Sequence, residues 1–64
     1  MRLTDFWERM NAHFGPAYSE SVAHDHVIAA LGERTIYQAI ADGYDTKAIW
    51  RAVCQAFDIP ASLI

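Results

Sequence analysis

The stretch Ala48-Ile49-Trp50-Arg51-Ala52-Val53-Cys54-Gln55-Ala56-Phe57 is the part of this chain least able to stand alone in water. At about 100° per residue, Ile49, Trp50, Ala52, Val53, Ala56 and Phe57 cover well over half the circumference of a helix. Lys47, Arg51 and Gln55 form the polar stripe that remains. A helix with so narrow a wet strip has to be surrounded by other helices, which predicts an all-α bundle built about this segment. Trp50 and Phe57 fall on one side of it and anchor the core. Truncating either to alanine is expected to cost about 3–5 kcal/mol, comparable with the whole stability of so short a chain.

The 64 residues make one domain, residues 1–64, and a chain of this size buries only about 60% of the surface it exposes when unfolded. One cysteine rules out an intramolecular disulfide and a cysteine-rich zinc framework, so apolar packing has to carry the stability. Eleven alanines let backbones approach closely and favour a tight bundle of about four short helices. The net charge of −3 argues against a general affinity for phosphate backbones. Met1-Arg2-Leu3-Thr4-Asp5 contains no apolar run of the signal-peptide kind. No segment approaches the roughly 18 apolar residues of a membrane span, so no membrane partner is expected. A lone cysteine suits a reducing interior, and the expected location is the cytoplasm.

In chain order, Thr4 is placed to cap a first helix, with Asp5 and Glu8 in its first turn, where carboxylates favour the helix dipole. Phe6, Met10 and Phe14 recur at spacings of four with Trp7 beside them, and Asp5 is spaced to pair with Arg9. Gly15 stops this helix and Pro16 begins the next. The second helix is expected to run from Pro16 to about Leu31, closed by Gly32, with Val27 to Leu31 as the inner partner of the last helix. Thr35 caps a short third helix, Ile36 to Ala41, with Ile36 and Ile40 inward and Asp42-Gly43 closing it. Asp45 caps the fourth helix, and Pro60 keeps it from continuing far past Phe57. Leu63 and Ile64 either fold back as a hydrophobic latch or fray.

His13, His24 and His26 are the candidate metal ligands, but residues two apart on a helix point about 200° from one another. His24 and His26 therefore cannot chelate one ion from a single helix, and no metal is expected. Cys54 lies on the apolar side of the last helix and reads as a small core residue. Ser21 and His24 are close enough to touch. No Gly-x-Ser-x-Gly turn accompanies them, however, and a bundle this small has little room for an enclosed pocket. The chain reads as a non-enzymatic protein with no cofactor.

Two binding readings remain. Phe6, Trp7, Met10 and Phe14 put four large apolar groups on one short helix, the composition of a site for another protein or a second copy, with Trp7 as the leading hot spot and Phe6 and Met10 beside it. The alternative is a DNA-associated accessory protein. Ala39, Gly43, Tyr44 and Ile49 make the last two helices loosely helix-turn-helix-like, with Arg34, Lys47 and Arg51 as phosphate contacts. Against it stand Gln38 and Asp42, where that motif wants apolar residues, and the carboxylates of Asp42, Asp45 and Asp58 around the two cations of the last helix.

The whole chain also resembles a family of short actinobacterial proteins known as domain of unknown function 3046. The resemblance is carried by Met1-Arg2-Leu3-Thr4-Asp5-Phe6-Trp7, by Phe14-Gly15 with Tyr18, and by Asp25-His26-Val27. Leu31-Gly32, Arg34-Thr35, Ala39 and Gly43 continue it, followed by Ile49-Trp50-Arg51-Ala52-Val53-Cys54 and Asp58-Ile59-Pro60. Glu33 departs from the family, which commonly has a second glycine there. The resemblance implies a self-contained helical protein with no assigned catalytic residue, cofactor or ligand. Because family genes often stand near those of the recombinase and its regulator, it also implies a link to DNA repair or recombination.

Overall fold

The computed structural model describes residues 1–60. Four α-helices follow one another: α1 (Leu3–Phe14), α2 (Pro16–Asp25), α3 (Ile36–Ala41) and α4 (Thr46–Phe57). A single 3-10 turn, Ala29–Leu31, lies between α2 and α3. The expected latch at Leu63 and Ile64 lies outside the described residues.

The last helix forms as its pattern predicts. Ile49, Trp50, Ala52, Val53 and Cys54 are buried, while Lys47, Arg51 and Gln55 form the wet stripe. Ala56, expected inside, is exposed, and Phe57 is half-buried. The Asp45 carboxylate accepts the Ala48 amide at 3.3 Å and caps the start. At the other end Asp58 turns left-handed, the Ile59 amide returns to the Cys54 carbonyl at 2.9 Å, and Ile59 folds back into the core.

Helix α1 lies beside α4 and runs in the same sense. The Thr46 hydroxyl donates to the Met1 carbonyl at 2.8 Å, Phe6 meets Trp50 edge-on at 6.1 Å, and Phe14 meets Phe57 at 5.1 Å. Phe6, Met10, Trp50, Ile49, Val53, Ile28, Leu31 and Ile36 share one core. The cap of α1 differs from expectation. Thr4 lies inside the helix, which starts at Leu3, and Asp5 in the first turn accepts the Arg2 amide at 3.3 Å. That carboxylate does from within the helix what a capping hydroxyl does from outside it. Among the described residues Asp5 makes no ion pair with Arg9.

Gly15 joins α1 to α2 at φ 84° and ψ 148°, a conformation closed to side chains with a Cβ. It receives the end of one helix and offers its carbonyl to the Ser19 amide at the start of the other. The second helix is shorter than its apolar run suggests, ending at Asp25 and not near Leu31. His26, Val27 and Ile28 leave it in extended conformation, and the Ile28 amide bonds the Arg34 carbonyl at 2.9 Å in an isolated antiparallel bridge. A β-branched pair loses less in extended chain than in helix, and the bridge gives the Ile28 amide a partner. Ile28 and Leu31 still pack inward against α4, but Val27, Ala29 and Ala30 are exposed.

Helix α3 keeps its expected bounds. Thr35 and Gln38 form a reciprocal capping box, with distances of 3.2 and 2.9 Å. Ile36 and Ala39 are buried, and Ile40 is half-buried.

Candidate interaction site

Of the three side chains expected to form a partner-binding face, Phe6 and Met10 are 0% exposed and belong to the core. Their spacing of four aims both at α4, the most apolar surface available. Trp7, one residue round the helix from Phe6, is half-buried at the margin. Its indole rests edge-on against Phe6 at 5.2 Å and lies tilted, at 41°, against the Tyr37 ring at 5.6 Å. Tyr37 comes from α3 and is 41% exposed. Sequence reasoning missed it, since on α3 it faces away from the Ile36–Ala39 core side.

Trp7 and Tyr37, with Asn11, Pro16, Ser19 and Glu20, line a cleft of about 220 Å³ where α1, α2 and α3 converge. Ser19 is 1% exposed, and its hydroxyl finds no hydrogen-bond partner among the described residues. A hydroxyl in a helix commonly bonds the carbonyl one turn back, yet this one does not. An unpaired buried hydroxyl costs about 1–3 kcal/mol. The cleft therefore offers two aromatic faces, with the Ser19 hydroxyl sealed beneath its wall.

The alternative set is Arg34, Lys47 and Arg51. Arg34 is occupied. Its Nε donates to Asp42 at 2.8 Å, its Nη1 to the carbonyls of Leu31 and Gly32 at 3.1 and 3.3 Å, and its guanidinium lies 5.4 Å from the Tyr44 ring centre. Asp42, which counted against a helix-turn-helix, is thus the anchor of this arginine. Lys47 and Arg51 are exposed on α4, and Lys47 shares a shallow cavity with Met1, Asp5 and Arg9.

The three histidines are engaged separately. His13 packs edge-on against Phe14 at 4.7 Å, and His26 lies 4.8 Å from Phe57. The His24 Nδ1 bonds the Asp25 carboxylate at 2.8 Å. That hydrogen bond and the charge of Asp25, helped by Glu20, hold His24 above its usual range. Its protonated form is therefore favoured in the fold, and the benefit fades as pH rises above 6.5 through the shifted value. Among the described residues no hydrogen bond joins Ser21 to His24, and no three metal-binding side chains converge. Burial pushes the Cys54 thiol up, which keeps it protonated and unreactive. No helix among the described residues is long and apolar enough to cross a membrane.

These features define a small all-α protein whose helices pack against one face of the last and leave a cleft at their side. The chain belongs to the family described as "Protein of unknown function (DUF3046)", whose profile matches residues 1–62. It is also similar to Rv2742c of Mycobacterium tuberculosis, a protein named for a proposed place in an envelope-preserving system. The two are 41% identical over 39 residues, which are 61% of this chain and 14% of that longer protein. No solved structure matches the chain.

Proposed function

We propose that this protein is a non-enzymatic interaction module of the cytoplasm that docks on another protein, or on a second copy, through the Trp7–Tyr37 cleft. The observation that carries the reading is the cleft itself: two aromatic rings from different helices, half open to solvent. Aromatic rings give large contact area with few torsions to freeze. The match to a short segment of a longer mycobacterial protein supports it, because docking modules recur both alone and joined to other chains. The name of that relative makes an envelope-associated assembly one setting to examine.

Capture of partners with the tagged protein provides the test. Trp7→Ala and Tyr37→Ala should each weaken capture by about 2 kcal/mol or more, while both keep the helical circular dichroism spectrum. Sedimentation at rising concentration would separate self-association from capture of a different chain. Retention of every captured protein by both variants, with a monomer at all concentrations, would sink the reading. A nucleic-acid-binding role in repair or recombination would rest on Lys47 and Arg51 alone, since Arg34 is committed to Asp42 and the turn. Salt-dependent binding to duplex or single-stranded DNA at micromolar protein would revive it.

A further inference from the structure

A second cavity, of about 230 Å³, lies on the opposite flank of α1, between that helix and α4. Arg9, Ala12 and His13, spaced by three and four, bring one face of α1 to it, while Trp50 and Ile59 supply the other wall. Its polar groups form an unusual set. Among the described residues, none in the wall carries a carboxylate. Arg9 is half-buried and makes no ion pair among the described residues. Trp50 is 1% exposed, and its indole N–H has no acceptor among the described residues. Trp50 stands in the wall of this cavity. An indole N–H donates and never accepts, and the same holds for a guanidinium. A cavity walled by Ala12, His13, Ile59 and an indole, with one full positive charge, suits a group that is anionic and carries an apolar body.

We propose that this cavity binds a carboxylate attached to a small apolar group, with Arg9 donating to its oxygens and the Trp50 indole beside its apolar body. The guanidinium fork matches the two coplanar oxygens of a carboxylate. A phosphate dianion would call for more cations than one arginine supplies. The volume is below that of a drug-sized pocket, which suits a small organic acid or the terminal residue of a peptide.

The test follows the indole signals of nitrogen-15-labelled full-length protein by NMR, with Trp7→Phe assigning which of the two belongs to Trp50. Titration with 3-phenylpropionate should shift the Trp50 indole proton saturably, and 3-phenylpropanamide should not. Arg9→Gln should weaken the acid roughly tenfold, with Arg9→Lys, which keeps the charge but loses the fork, in between. A tripeptide ending in phenylalanine, with a free or an amidated C-terminus, distinguishes the sources. Saturation by the free peptide alone assigns a chain terminus, and saturation by the simple acid as well assigns the carboxylate itself. No saturable shift with any probe, equal response to acid and amide, or indifference to both Arg9 variants would overturn the proposal.

Discussion

The seam between α1 and α4 and the link from His26 to Arg34 are both rich in apolar residues, yet they are held by different forces. Along the seam, Phe6 meets Trp50 and Phe14 meets Phe57, with Met10, Ile49 and Val53 closed between them. Position there follows from area: each ring has one way to leave water, and the helices move together until it does. In the link, Ile28 and Leu31 are buried, but Val27 is 50% exposed. Its path is set by a single bridge, two consecutive left-handed residues at Gly32 and Glu33, and the Arg34 side chain drawn across the turn to Asp42. A seam held by area tolerates adjustment of its polar edges. A link held by a few directed bonds and backbone angles depends on each of them.

The largest effect that separates the two regions should come from Trp50→Ala, at about 3–5 kcal/mol. That is enough to leave much of the protein unfolded at 25 °C, as a denaturant titration would show. Trp7→Ala, which removes a half-buried ring at the margin, should cost about 1–2 kcal/mol. Equal losses from the two would mean that the cleft is as much a part of the core as the seam. In the link, Gly32→Ala should cost about 1–2 kcal/mol, because φ is 71° there and an added Cβ would stand 2.5 Å from Arg34 Nη1. Arg34→Met keeps the apolar stem and removes the directed bonds. Amide exchange at Ile28 should quicken while the amides of α4 keep their protection, the signature of local opening. Uniform acceleration across both regions would show that link and seam unfold as one.

This difference also explains what could be read from the sequence. The periodicity of Ile49, Trp50 and Val53, the capping chemistry of Thr35 and Asp45, and the Gly15-Pro16 junction are local signals, and the helices they imply are present. The uninterrupted apolar run from Val27 to Leu31 predicts a longer second helix than forms, because composition alone does not distinguish a buried helix from an extended strand and turn. What decides between them is the Arg34 carbonyl and guanidinium, groups that reach back along the chain and leave no mark on the local pattern. The site was legible in part. Trp7 stands out as an aromatic residue at the edge of an apolar face, whereas Tyr37 and Ser19 join it only once α2 and α3 are in place. The cavity at Arg9 was hidden for the same reason, its walls being 41 residues apart at Arg9 and Trp50.

The smallest effect, and the sharpest for the comparison, belongs to Glu33. Its φ of 63° is left-handed, where a side chain with a Cβ costs about 1–2 kcal/mol relative to the right-handed region. This is the position where the resemblance set out above has glycine. Glu33→Gly relieves that strain but also frees the unfolded chain, which takes back about 0.5–1 kcal/mol. The net gain should be about 0.5 kcal/mol, a rise in melting temperature of roughly 2–4 °C for a domain of this size. A larger rise would place more strain in the link than its dihedral alone accounts for. A fall would mean that the glutamate side chain contributes to the turn, and that the link is held by one more contact than the bridge, the left-handed pair and Arg34.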